Sequence, residues 1–343
     1  MPADSVLGNS GATTPLRRRP GAGAGGTRTR GAGSGAAARG GKDSGGKHGT
    51  GKRSAAYLTY LLPAAVLFIV IIAVPLVLNV YTSFTSWTGV GPKHWAGLAN
   101  YRQLLHDSEF WASMWHSLAL VAAMAVIPAV IGLFVAAALF DVIAKRFSPR
   151  VASVLRACIY LPQVLPIIVA AIVWSWILDP QYGALNVALR DAGLGFLAHD
   201  LLGDPHTALL TVMAVLIWFQ LGYPVVIFMA ALQRTDPALG EAAEIDGATW
   251  RQRLWRVTVP QIRPEIYVVL LTCTVASLRA FGWIYALTTG GPGVSTQVPS
   301  YYSYQSFFTN LDVGYGSAIA TVITLIILAV SVVFLWLQRR HTG

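Results

Sequence analysis

Six apolar runs, at positions 57–84, 114–140, 152–178, 207–232, 266–288 and 315–337, constrain this chain more than any other feature. At 1.5 Å per helical residue each is long enough to cross roughly 30 Å of hydrocarbon. Lipid offers no partner for backbone N–H and C=O groups, so a run of this kind must satisfy them within itself, as a helix does. The chain is 55% hydrophobic and only 12% charged, more apolar surface than a soluble domain can bury. The expected fold is therefore an all-α, multi-pass membrane protein with six transmembrane helices. Pro63, Pro75, Pro128, Pro162, Pro166 and Pro224 fall inside the runs. They are expected to be tolerated there, because neighbouring helices can re-satisfy the freed carbonyls.

The formal charge of +10 invites a nucleic-acid reading, but its distribution opposes one, since ten of the 25 Lys and Arg lie in residues 1–56. That segment is Gly, Ala, Arg and Ser with few apolar residues, and it cannot offset its chain entropy by burial. It is expected to be a disordered basic tail on anionic cytoplasmic lipid, followed by a membrane domain at 57–343. No cleavable leader is expected, because the first apolar run is of full spanning length. Gly46 to Lys52 resembles a phosphate-binding loop, yet Arg53 stands where a Mg²⁺-ligating hydroxyl belongs. Lys145, Arg146 and Arg150, then Arg234, Arg251, Arg253, Arg256 and Arg263, then Arg339 and Arg340 sit in alternate connections, whereas the others hold only Lys93, Arg102 and Arg190. Positive charge stays cytoplasmic, which predicts both termini and the 233–265 connection on that side. Trp87, Trp95, Tyr101, Phe110 and Trp111 read as interface anchors. The connection at 290–314 is long enough for a re-entrant or partner-facing excursion.

The 233–265 connection reads as helix, turn, helix. Asp236 can cap a helix with Pro237 in its first position, and Gly247 suits a left-handed stop. Thr249 can cap a second helix from Trp250 to Val259, halted by Pro260 and Pro264. The result is a compact helical knob on an aqueous face.

Glu241-Ala242-Ala243, three residues, Gly247, nine residues, then Val257-x-Val259-Pro260 resembles the signature loop of ATP-binding-cassette importer permeases. Val257 and Val259 depart from the Ile and Leu of that pattern but keep an apolar surface. Similarity extends over nearly all of 57–337, through Trp95 to Tyr101, Tyr160-Leu161-Pro162, Leu178 to Gly183 and Leu287 to Pro292. The last string resembles the carbohydrate-uptake branch, of the maltose and glycerol-phosphate permease first-subunit type. Gly282 departs from it, because many members carry an acid after the Phe. The resemblance implies the type I importer fold and a coupling surface at Glu241, Ala242, Ala243, Asp246, Gly247 and Pro260. It also implies cytoplasmic ATPase subunits that bind ATP and Mg²⁺, a second permease subunit, an extracellular solute-binding protein and a sugar-like substrate. No cofactor on this chain, no catalytic group and no nucleic-acid partner are expected. The family's sugar contacts come from the fourth and fifth spans, which here gives Gly222, Tyr223, Ser277, Arg279, Phe281 and Trp283. Arg279 and Trp283 are expected to share one helix face.

An ion-coupled secondary sugar transporter is the alternative, but it would want acidic residues inside the spans, which hold essentially none. A membrane enzyme is opposed by the lack of clustered catalytic groups, and the seven His are scattered. Cys158 and Cys273 both lie in apolar runs and read as small hydrophobes.

Overall fold

The computed structural model describes residues 60–140 and 149–342. The tail at 1–56 and the loop cations Lys145 and Arg146 lie outside them. Among the described residues four helices are long and apolar enough to cross a membrane unbroken. They are α1 (Tyr60–Thr82), α3 (Ser108–Ala138), α7 (Ala208–Leu232) and α13 (Val313–Thr342). Between them run α2 (Ala99–His106), α4 (Pro149–Tyr160), α5 (Ile167–Ile177), α6 (Ala184–Asp191), α8 (Pro237–Ile245) and α9 (Trp250–Arg253). The remainder are α10 (Arg263–Leu278), α11 (Phe281–Leu287) and α12 (Pro299–Tyr304).

Two of the six expected spans correspond to bent helix pairs. The third bends by 98° between its halves, and the fifth bends by 49° between α10 and α11. Proline causes the first break. The Pro166 ring disfavours the α conformation at the residue before it, and Leu165 is accordingly extended at φ −71°, ψ 137°. Leu161–Val164 tightens to a 3₁₀ turn ahead of it. No proline causes the second. Arg279 ends α10 at φ −110°, ψ 24°, and the freed groups bond locally, Ala280 N to Ser277 O at 3.1 Å and Phe281 N to Arg279 O at 2.9 Å.

Small residues let the long helices approach, as membrane helices require. Gly132 of α3 lies so close to α7 that a Cβ there would fall 2.8 Å from Pro224 Cβ. Around this contact Ala129, Leu133, Ala136, Phe228 and Met229 form one core cluster. A second, of Leu120, Met124, Leu216, Phe219, Trp283 and Ile284, joins α3, α7 and α11. The long α1 stands apart, with none of its most apolar window buried. It is tied to α13 by Asn79, whose amide donates to Thr321 Oγ1 at 3.1 Å.

The end of α1 enters a two-stranded hairpin, β1 (Thr85–Ser86) against β2 (His94–Trp95), with Thr85 opposite Trp95. Asn100 of α2 donates to Ser83 O at 2.9 Å and Thr85 O at 3.0 Å, and Val313 N donates to Trp87 O at 2.9 Å. Trp95 and Trp111 are exposed, but Phe110 is buried and packs with Leu104, Tyr302 and Tyr315. Phe110 therefore belongs to the core. Beside it Asp107 caps α3, accepting from Glu109 N at 2.9 Å and Phe110 N at 3.3 Å. The same carboxylate accepts the hydroxyls of Tyr302 at 2.6 Å and of Tyr315. The long 290–314 connection thus folds back as α12 and is fastened to the first loop.

Candidate functional site

At the opposite end of α3, the 233–265 connection forms the expected knob, and its construction is local. Asp236 caps α8, its carboxylate accepting from Ala238 N at 2.9 Å, with Pro237 in the first turn where no N–H is needed. At the other end Gly247 sits at φ +77°. Its N–H reaches Glu244 O at 3.1 Å and Ala248 N–H reaches Ala243 O at 2.9 Å, the paired bonds that close a helix through a left-handed residue. Thr249 and Gln252 then make a reciprocal capping box at the start of α9. Glu244 pairs with Arg253 across the turn, and Asp236 N donates to Gln261 Oε1 at 3.2 Å.

One boundary differs from expectation. The second helix does not stop at Pro260. A π-turn at Leu254–Thr258 widens the backbone ahead of the proline, relieving the carbonyl its ring would strike, and the chain turns only after Gln261, at Ile262.

No residue of α8 is buried. Glu241, Ala242 and Asp246 are exposed, Ala243 is half-buried, and Ile245 is 86% exposed. Glu241, Glu244 and Arg253 line a cleft of about 290 Å³ with Phe140, Asp236 and Gln261. Nine residues are too few for a stable isolated helix in water, so α8 rests on its caps and presents an apolar tip with acidic flanks. At the knob's root Arg234 and Glu265 pair at 2.7 Å, fastening the end of α7 to the start of α10.

The second region lies where both helix pairs bend. A cavity of about 280 Å³ opens between Gln163 at the first break, Gln220 and Tyr223 of α7, and Arg279 and Trp283 on either side of the second break. Arg279 and Trp283 line it together although no continuous helix joins them, so their shared face comes from the bend and not from helical spacing. A further cavity of about 370 Å³ lies on the other side of Arg279, lined by Phe281, Ser300, Ser303 and Thr324. Phe281 therefore faces this second space, where its ring contacts Tyr285, Tyr301 and Tyr304 at centroid distances of 5.4, 6.2 and 5.1 Å.

Two expected residues line neither cavity. Ser277 is buried, its hydroxyl donating to Thr274 O at 2.8 Å. Gly222 is a close-approach position, where a Cβ would fall 2.7 Å from Ile159 O and 3.0 Å from Tyr160 Cα. Conversely, Gln163 and Gln220 line the first cavity but are not among the expected site residues. Each is a polar side chain inside an apolar run, a signal that alone marks a position for attention. Gln163 donates to Phe219 O at 2.9 Å and Gln220 to Cys273 Sγ at 3.2 Å. No His, Cys, Asp and Glu cluster that could hold a metal ion occurs among the described residues.

Comparison with known proteins gives a consistent result. The family described as the inner membrane component of binding-protein-dependent transport systems matches residues 129–342. A probable ABC transporter permease of Pyrococcus horikoshii is 35% identical over 280 residues, covering 81% of this chain and 94% of that one. The multiple sugar-binding transport system permease of Streptococcus mutans is 31% identical, covering 82% and 94%. The fold matches a bacterial ABC transporter involved in the import of the acidic polysaccharide alginate, with a TM-score of 0.73 at 24% identity, over 85% of this chain and 98% of that one.

Proposed function

The chain belongs to the inner membrane components of binding-protein-dependent transport systems, and from that premise we propose how it works as the permease subunit of a sugar importer. The observation that carries the proposal is α8, a stiffly capped helix that buries nothing and offers Glu241, Asp246 and Ile245 to solvent. Such a surface suits a partner that covers the apolar tip and pairs with the carboxylates. That partner is a cytoplasmic ATPase subunit, which binds the ATP and Mg²⁺ while this chain carries no catalytic group. Glu241, Ala242, Ala243, Asp246, Gly247 and Pro260 form the contact or set its shape.

Movement of the knob reaches the cavity through two helices. From Leu232 back to Tyr223 is roughly 14 Å along α7, and from Arg263 to Arg279 roughly 24 Å along α10, at 1.5 Å per residue. The Arg234–Glu265 pair joins the two at the knob. A rigid displacement of the knob therefore carries Tyr223 and Arg279 together, while the bends at Leu165 and Arg279 absorb the change in angle. This is alternating access at a cavity whose aromatic faces and amide groups suit a sugar, with its apolar faces and polar edges. Counting each bent pair as one gives six spans. The arginines at the knob and at the end of α13 support placing that end in the cytoplasm with both termini. A second permease subunit completes the pathway, and an extracellular solute-binding protein delivers the solute.

Glu241→Lys tests the reading. It replaces attraction by like-charge repulsion at the contact and leaves the spans alone. In vesicles holding the whole transporter, substrate-driven ATP hydrolysis and uptake should fall together, at unchanged membrane levels of the chain. Normal coupling by a normally inserted variant would overturn the assignment of the knob.

A further inference from the structure

The Arg279 side chain is exposed toward two cavities and makes no hydrogen bond or ion pair with the described residues. It stands at the bend between α10 and α11. The acid nearest in sequence on α10 is Glu265, fourteen residues and roughly 21 Å away at helical rise, and Arg234 already pairs with it. No carboxylate lines either cavity. An unpaired cation within an apolar span costs several kcal/mol, and such residues mark solute paths. A second donor points the same way. Trp283 is 2% exposed and lines the first cavity, and its indole N–H has no acceptor among the described residues. On the other side of Arg279 the Ser300 hydroxyl, in the wall of the second cavity, is also buried and unpartnered. Buried donors left without acceptors are rare, and each carries a desolvation cost that a bound acceptor would remove.

Resting on the importer reading above, we propose that the solute is a saccharide bearing an anionic oxygen group, a carboxylate above all, which seats on the Arg279 guanidinium with the Trp283 N–H beside it. A planar carboxylate matches the guanidinium fork with two parallel hydrogen bonds. The Gln163 and Gln220 amide oxygens and the Tyr223 hydroxyl remain for the ring hydroxyls. Gly282 leaves room beside this seat, since a Cβ there would meet only Ile167 Cγ2, at 3.6 Å.

The test offers cells with and without the intact gene one polysaccharide hydrolysate that holds neutral, uronate-bearing and phosphorylated oligosaccharides, and follows their depletion by mass spectrometry. Gene-dependent loss of the uronate-bearing set is expected. Loss of the phosphorylated set alone would move the anion from carboxylate to phosphate and keep the Arg279 seat. Loss of only neutral saccharides would overturn the inference and leave the importer reading standing. Gene-dependent loss of no saccharide would overturn both. Arg279→Gln should then lower uptake of the acidic saccharide at least ten-fold, Arg279→Lys less, and Gly282→Asp should also lower it by placing a carboxylate next to the guanidinium. Uptake unchanged in Arg279→Gln would refute the seat. Loss of the second permease from the purified Arg279→Gln complex would refute it too, because Arg279 would then be pairing with that chain.

Discussion

Glycine-to-alanine substitution at two positions of the knob should have opposite effects, and the opposition isolates what holds α8 together. At Gly247 the φ of +77° is the whole constraint, because an added Cβ meets nothing within 4 Å. A left-handed conformation costs an L-residue about 1–2 kcal/mol, and the smaller freedom of the unfolded alanine chain returns about half of that, leaving a net loss near 1 kcal/mol. At Gly240, inside α8, a Cβ also meets nothing, and φ is helical. There alanine should stabilise by about 0.5–1 kcal/mol. Since α8 buries no side chain, neither change can be absorbed by the core, and both should appear in full as local opening. The assay is hydrogen exchange at the Asp246, Gly247 and Ala248 amides, which bond to Ala242 O, Glu244 O and Ala243 O. In lipid discs, Gly247→Ala should lower their protection about five-fold and Gly240→Ala should raise it several-fold. A shift of the same sign in both variants, or none at position 247, would refute the view that backbone conformation at the caps sets the stiffness of this surface.

Three further outcomes follow from the geometry. Gly222→Ala should destabilise the bundle by about 1–3 kcal/mol, seen as a lower melting temperature in detergent, because its Cβ meets the α4 backbone; Gly282→Ala, whose Cβ makes only an ordinary contact with Ile167 Cγ2 at 3.6 Å, should show no such loss. Partial burial would raise the Asp107 carboxyl, but the hydroxyls of Tyr302 and Tyr315 and the Phe110 and Glu109 amides outweigh it and hold it below its ordinary 3.8. Its contribution to stability is therefore present above that value and lost as pH falls through the depressed one, so thermal stability should drop in that acid range, and Asp107→Asn should flatten the drop while lowering stability at neutral pH. Glu244→Ala removes a pair whose carboxylate is largely in water, and should lower the exchange protection of the knob by less than about 1 kcal/mol.

What was legible in the sequence divides from what was not by the range of the forces involved. Hydrocarbon demands internally bonded helices, so the apolar runs alone announced a helical, multi-pass protein. The knob was readable because Asp236, Pro237, Gly247 and Thr249 act on backbone groups within three or four residues, and no distant contact competes with them at an exposed turn. Pro260 misled because a π-turn upstream can accommodate a proline, and nothing in the residue string marks where that turn falls. The bend at Leu165 was foreshadowed by Pro166, yet a proline inside a span specifies neither a break nor an angle of 98°. The bend at Arg279 had no local sign, since its backbone groups close on each other once the bundle holds α11 against α5. That bend decides the cavity. It sets Trp283 beside Arg279, turns Phe281 to the other side and leaves Ser277 in the core, and Gln163 joins from the break between α4 and α5. Which polar groups meet was therefore settled by contacts between segments more than 50 residues apart, where the sequence shows only that each polar residue is costly in its own run.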